Sequence, residues 1–334
     1  MSYMQILLIP IAILSVVTNF SIIILILRNR TWLSKPYNVF IFSLSFTDMF
    51  TGVVMLITPN TVFKETINIP SNRFIGTIFC KIMWFRWLLF ALGAVSVYTC
   101  LFLTVERWTA ICRPFKYRVR FASRYVIGYI VLIWFLGLTT SSIGALEPEF
   151  VPKNSNNTAP FCKITPIARA NLIGLVTIIS VSAKFVIPSV IIIVLYTLAI
   201  LKIKKNERSF PGQKSRNQTI NAVTKMAAAA SVGLVLCWLP NQIYFILVKY
   251  RMAEMFTHIH NCTSVIVLLS STLNPFIYGL WGKHYRAGMK AALRCFGRHV
   301  DRSAANAGVG NKGFYVENKQ TLAAPAGKQQ ETVM

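Results

Sequence analysis

The sequence predicts an all-α membrane protein: a seven-transmembrane helix bundle followed by a short amphipathic helix on the cytoplasmic side. Three observations carry this. Of 334 residues, 54% are hydrophobic and only 13% are charged, whereas a soluble domain carries about 25% charged residues. Seven apolar segments can be drawn, at 6–27, 38–62, 78–111, 125–146, 171–201, 220–248 and 258–281, each long enough for a bilayer core of ~30 Å. The gaps between them also alternate in charge. One set (28–37, 112–124, 202–225 and 282–334) holds 24 Lys and Arg, and the other (1–5, 63–81, 147–170 and 249–257) holds eight. Positive loops stay in the cytoplasm, so the N-terminus is expected outside and the C-terminus inside. The net charge of +25 is therefore topological, with attraction to the anionic inner leaflet, and nucleic acid is not an expected partner.

Each element has its own signals. The first run, MSYMQILLIPIAILSVV, lacks a basic start and a small-x-small cleavage site, and Arg28 and Arg30 follow it. It reads as a retained anchor rather than a cleaved signal. Pro36 opens span 2 and Pro114 ends span 3 on its cytoplasmic side, while Pro188, Pro240 and Pro275 fall inside spans 5, 6 and 7. An internal proline removes one helix hydrogen bond and bends the helix, and three bent helices in succession predict a bundle built to move. After span 7, residues 283–296 place Tyr285, Met289, Ala292, Leu293 and Phe296 on one face with Lys and Arg around the rest, as an interfacial helix does. Cys295 at its end is a candidate for palmitoylation. The receptor domain is drawn as 1–296. Residues 297–334, rich in Ala, Gly, Asn and Gln, read as a disordered tail.

Of seven cysteines, Cys80, Cys162 and Cys262 fall on the oxidising side. A bridge between Cys80 and Cys162 would pin the loop after span 4 over the mouth of the bundle, though counting alone does not choose the pair. Asn156, in Asn-Asn-Thr, is a glycosylation candidate in that loop. Ionisable residues within spans are costly and mark function. They are Asp48, Arg86, Glu106, Arg107 and Lys184. Asp48, at mid-depth, has Ser96, Ser270, Ser271 and Asn274 at similar depth in other spans. Carboxylate, hydroxyl and amide oxygens suit a hard cation, and a sodium ion is the expected one. A protonated Asp48 hydrogen-bonded in the bundle is the alternative.

Taken together, these residues resemble the rhodopsin-like (class A) G-protein-coupled receptors. Asn19, Leu-Ser-Phe-Thr-Asp48, Glu106-Arg107-Trp108, Trp134, Pro188 with Tyr196, Cys237-Trp238-Leu239-Pro240 and Asn274-Pro275-Phe276-Ile277-Tyr278 match that family's motifs for helices 1 to 7, in order. The resemblance implies that Glu106 holds Arg107 at rest. An outside ligand then shifts the bundle, helix 6 swings outward, and Arg107 turns toward Tyr196 and Tyr278 to help form a cleft for a heterotrimeric G protein. Trp238, above the Pro240 kink, would couple ligand pocket to cleft, with Pro188, Asn274 and Pro275 in the same relay. Arrestin is a further implied partner.

Some positions depart from the family pattern. Trp108 replaces a tyrosine, and no acid occurs in 214–226, so a lock from Arg107 to helix 6 is missing and basal signalling is expected. Cys80 to Arg107 is about two residues longer than the family's spacing, which leaves the register of the outer half of helix 3 open.

No Lys occurs in 257–281 and no acid in the outer half of span 3, so neither a retinal Schiff base nor an amine counter-ion is expected. Arg86, Trp87, Lys184 and Trp238 form the expected ligand pocket, with Arg86 and Lys184 suited to an anionic group. The long outer loop, with Lys153, Lys163 and Arg169, points to a peptide ligand. The Glu-Arg with the Ile-Cys-Arg-Pro after it also resembles prostanoid receptors, making an anionic lipid the alternative. A transporter would show inverted repeats and a channel a repeated pore pattern, and neither is visible. No paired carboxylates or metal-ligand spacings suggest an enzyme. The C-terminal Glu-Thr332-Val-Met334 resembles a PDZ ligand, which adds a strand to a sheet edge.

Overall fold

The structure, a computed structural model, describes residues 3–58, 69–153, 159–164, 170–209, 214–254, 257–282 and 285–288. Among them, seven helices are long and apolar enough to cross a membrane: Ile6–Arg28, Pro36–Ile57, Trp87–Cys112, Ser123–Ser141, Gly174–Asn206, Ile220–Lys249 and His258–Trp281. We number these spans 1 to 7. Large apolar side chains such as Ile127, Val131 and Phe135 on span 4 point outward, as a helix facing lipid requires.

Span 3 sits at the centre, packed against spans 2, 4, 5 and 6. It contributes Val97, Leu103 and Cys100 to a core shared with Phe40, Ile133, Ile192, Met226, Leu234 and Tyr278. A second, smaller core joins Leu8, Val54, Leu89, Leu92 and Leu268. Gly137 lets span 4 approach span 3 closely, since a Cβ there would lie 2.8 Å from the Val95 backbone nitrogen.

Span 3 is not one helix from residue 78. A short helix, Arg73–Phe79, capped by the Asn72 side chain, runs into a π-helical turn at Cys80–Trp84. Arg86 then adopts left-handed backbone (φ 60°, ψ 24°) before the straight helix begins at Trp87. The wide turn and the break absorb the extra residues between Cys80 and Arg107, since a π turn closes i to i+5 and so accommodates an added residue. The Phe85 N–H donating to the Cys80 carbonyl at 3.2 Å has that spacing. Span 2 ends at Ile57 rather than 62, just ahead of Pro59, whose ring disfavours helical backbone in the residue before it. Span 6 extends inward to Lys214.

The prolines act locally. Pro188 has no N–H for the carbonyl of Lys184, and the turn around Lys184, Ser182–Val186, is π-helical. Tyr98 of span 3 donates to the Ala183 carbonyl in that turn at 3.0 Å. Pro275 likewise leaves the Ser271 carbonyl without its helical donor. The Asn19 side-chain amide of span 1 donates to that carbonyl at 2.9 Å, which satisfies a group that lipid could not.

Beyond span 4, strands β1 (Pro148–Val151) and β2 (Phe161–Ile164) form an antiparallel hairpin with Phe150 opposite Cys162. Cys162 is bridged to Cys80 with a Cα–Cα distance of 5.6 Å, so the hairpin is fastened to the π turn above span 3. Of the three candidate cysteines, Cys262 is free and exposed. Of the amphipathic helix drawn at 283–296, residues 285–288 are helical. Tyr285 there is buried and donates to the Asn38 side-chain oxygen at 2.8 Å, edge-on to Trp32.

Candidate functional site

At one end of span 3, Arg107 and Glu106 form a buried, two-pronged ion pair. Two prongs fix the guanidinium plane as well as its charge. The Tyr117 hydroxyl, on the short helix Pro114–Arg120, donates to Glu106 Oε1 at 2.7 Å. Burial, then the Glu106 charge, pushes the Tyr117 phenol above its ordinary range. The Arg107 guanidinium lies 4.5 Å above the ring of Tyr37, a cation–π contact that adds to its restraint. Tyr196 and Tyr278 are both buried nearby in the same core, and the Tyr278 hydroxyl has no hydrogen-bond partner among the described residues.

Midway along the bundle, Asp48 is 1% exposed. Asn274 Nδ2 donates to its Oδ2 at 2.7 Å and Ser96 Oγ to its Oδ1 at 3.5 Å. Ser271 is buried beside them, with its carbonyl taken by Asn19. Ser270 is buried as well, its hydroxyl donating to the Val267 carbonyl at 2.6 Å. The oxygens of Asp48, Ser96 and Ser271, with the Asn19 Oδ1 that has no hydrogen-bond partner among the described residues, suit a small hard cation.

The expected ligand-pocket residues fall into two neighbouring cavities. One is lined by Arg86, Phe90, Trp238, Asn241, Ser264 and Leu268, among others. The other is lined by Trp87, Phe90, Glu147, Lys184, Phe245 and Lys249, among others. Phe90 lines both, with Arg86 in the wall of the first and Lys184 in that of the second. The break at Arg86 turns consecutive side chains to different faces, so Trp87 points to span 4 and donates to the Ser141 carbonyl at 3.0 Å. Trp238 packs flat against span 3 at Gly93, where a Cβ would lie 1.8 Å from its ring.

Sequence reading missed Lys249 and Glu147. Lys249 falls where a loop was drawn, yet it is the last residue of the span 6 helix and forms a buried ion pair with Glu147. Glu147 stands one residue before β1, so no pattern within either segment could have joined them across 102 positions. Asn156, Cys295, Thr332 and Met334 lie outside the described residues.

Similar proteins agree with this arrangement. The family described as 7 transmembrane receptor (rhodopsin family) matches residues 18–278. Neuromedin-U receptor 2 of Rattus norvegicus is 28% identical over 306 residues, covering 85% of this chain and 74% of its own length. The human receptor of the same name is 26% identical over 305 residues, covering 86% and 71%. Growth hormone secretagogue receptor type 1 of Sus scrofa is 26% identical over 266 residues, covering 75% and 70%. With seven spans, the motif residues at matching depths and a family match over most of its length, the chain belongs to the rhodopsin family of seven-transmembrane receptors.

Proposed function

We propose that this protein is a plasma-membrane receptor that binds an extracellular peptide and activates heterotrimeric G proteins. The 24-to-8 division of Lys and Arg supports an N-terminus outside and a C-terminal tail in the cytoplasm. The observation that supports the reading most is Arg107, pinned by Glu106 and Tyr117 at the end of span 3 opposite the disulfide-fastened hairpin. In this state the Arg107 side chain is unavailable to a partner. Ligand on the outer side favours a second state in which Arg107 leaves Glu106 for Tyr196 and Tyr278 as span 6 moves outward, a two-state switch with two distinct sites. Trp238 against Gly93, the Pro240 bend and the Pro188 turn lie between those sites, with Asn274 and Pro275 leading inward to Tyr278. A sodium ion held by Asp48, Ser96, Ser271 and Asn274 favours the resting state.

A peptide fits the outer face best, because the hairpin β1–β2 offers backbone and charge beyond the two cavities, and the relatives are receptors for neuromedin U and for growth hormone secretagogues. The remaining roles follow the same topology: a glycan on Asn156, palmitate on Cys295, an arrestin at the cleft and a PDZ domain on Thr332 and Met334. The test is guanine-nucleotide exchange in membranes containing the full chain, challenged with tissue extract before and after protease digestion. Exchange that digestion removes, and that Arg107→Ala abolishes at unchanged surface expression, is the expected result. An ion flux carried by the chain, with exchange unaffected by Arg107→Ala, would reject the receptor reading.

A further inference from the structure

The cavity beside span 5 has an excess of one positive charge. Among the described residues, the charged groups lining it are Lys184, Lys249 and Glu147. Lys249 is compensated by the buried ion pair with Glu147. Lys184 is 8% exposed, and no carboxylate is paired with it among the described residues. What it has is the face of Phe245, with the ammonium 5.2 Å from the ring centroid. The Lys249 ammonium lies 5.3 Å from the same ring and 5.4 Å from that of Phe85. Two ammonium groups therefore share one aromatic wall, and the single acid is paired with Lys249. Cation–π contact offsets only part of the cost of removing an ammonium from water.

We infer that this cavity is a carboxylate-binding subsite of the ligand pocket, with Lys184 as its anchor and the Lys249–Glu147 pair as a second, exchangeable cation. The inference rests on the ligand-receptor reading above and names the chemistry the ligand must carry. One surplus charge matches a monoanion, and the π turn forced by Pro188 presents Lys184 to the cavity rather than to lipid. The walls from Phe85, Trp87, Phe90 and Phe245 leave an apolar approach, so the ligand brings its carboxylate next to an aromatic or aliphatic group. Glu147 is the built-in competitor. A ligand carboxylate that reaches Lys249 displaces it, and because Glu147 lies one residue before β1, that exchange pulls on the hairpin tethered to Cys80. The carboxylate belongs either to a peptide C-terminus or to an Asp or Glu side chain.

The experiment measures dissociation constants by calorimetry on the purified full-length receptor, using three small probes. N-acetyl-phenylalanine carries a terminal carboxylate, N-acetyl-phenylalaninamide carries none, and N-acetyl-aspartyl-phenylalaninamide carries one on a side chain. At least one acid is expected to bind about tenfold or more tightly than the amide, the fold-change of one charge-assisted hydrogen bond, and the tighter acid identifies the source. Lys184→Gln should reduce the preference to about threefold or less, Lys184→Arg should keep it, and Glu147→Gln should strengthen binding of the acid by freeing Lys249. Equal affinity for acid and amide, or a preference untouched by Lys184→Gln, overturns the inference. Because the readout is binding, it separates from the functional reading. Acid preference without guanine-nucleotide exchange keeps the subsite and removes the receptor mechanism, and the reverse result removes only the subsite.

Discussion

Gly93→Ala tests how the outer pocket is joined to the inner switch. An added Cβ would lie 1.8, 2.1 and 2.7 Å from three carbons of the Trp238 six-membered ring. Carbon atoms need roughly 3.5 Å, so the ring must retreat by about 1.7 Å. Trp238 is 5% exposed and stands just before the Pro240 bend, so the retreat displaces packed neighbours rather than solvent. Overpacking of this kind costs about 1–3 kcal/mol. If that strain falls on the resting state and is relieved when span 6 moves, the resting-to-active ratio shifts about 5- to 150-fold. Ligand-free guanine-nucleotide exchange should therefore rise in Gly93→Ala, and the melting temperature of the ligand-free receptor should fall. A double-mutant cycle with Trp238→Ala isolates the contact. Once the indole is gone the methyl group meets open space, so Gly93→Ala should be nearly neutral in that background. Strict additivity of the two substitutions, in exchange and in melting temperature, would refute the reasoning.

Tyr117→Phe removes the hydroxyl that donates to Glu106 at 2.7 Å. A hydrogen bond to a charged group is worth about 1.5–3 kcal/mol, so basal exchange should rise about tenfold in a nucleotide-exchange assay while ligand affinity changes little. Asp48→Asn keeps an acceptor for Asn274 and should change stability by less than about 1 kcal/mol, yet remove any dependence of ligand affinity on sodium concentration, measured against potassium at equal ionic strength. Arg251 has left-handed backbone (φ 60°) at the end of span 6, where Met252 N–H reaches the Leu247 carbonyl and Arg251 N–H the Val248 carbonyl. That hydrogen-bond pattern favours glycine, so Arg251→Gly should stabilise the receptor by about 1 kcal/mol, raising the melting temperature with no effect on exchange.

The parts legible in the sequence are those governed by depth in the bilayer. Length and apolar content place the spans, and depth alone brings Asp48 beside Asn274, 226 positions away. Rotation about each helix axis and local backbone strain were not legible. Arg86 and Lys184 are both buried cations near the outer side, and composition gives no reason to separate them. The left-handed residue that turns Arg86 away from Trp87 is an arginine, not the glycine that would have signalled it. Ser271 hydrogen-bonds Asp48 while the hydroxyl of the adjacent Ser270 donates to the Val267 carbonyl, a difference that composition does not show. Lys249 looked like a loop residue because span 6 continues one residue further than its apolar run. Gly93 drew no notice, since a glycine in an apolar helix is informative only once the indole that occupies its place is known.

The long-range pairings of Asn19 and Asp48 have a consequence for biosynthesis. Asn19 and Asp48 enter the bilayer first, but the groups that meet them, the Ser271 carbonyl and the Asn274 amide, belong to the last span to leave the ribosome. Until that span is inserted, the Asp48 carboxylate lacks its Asn274 donor and has only the longer contact from Ser96 of span 3, and an aspartate in hydrocarbon costs about 2.5 kcal/mol or more. A nascent chain stopped before residue 258 should thus remain with the insertion machinery or its chaperones and be degraded. Supplying span 7 as a separate polypeptide should release it, which makes the final helix the checkpoint for export of the whole receptor.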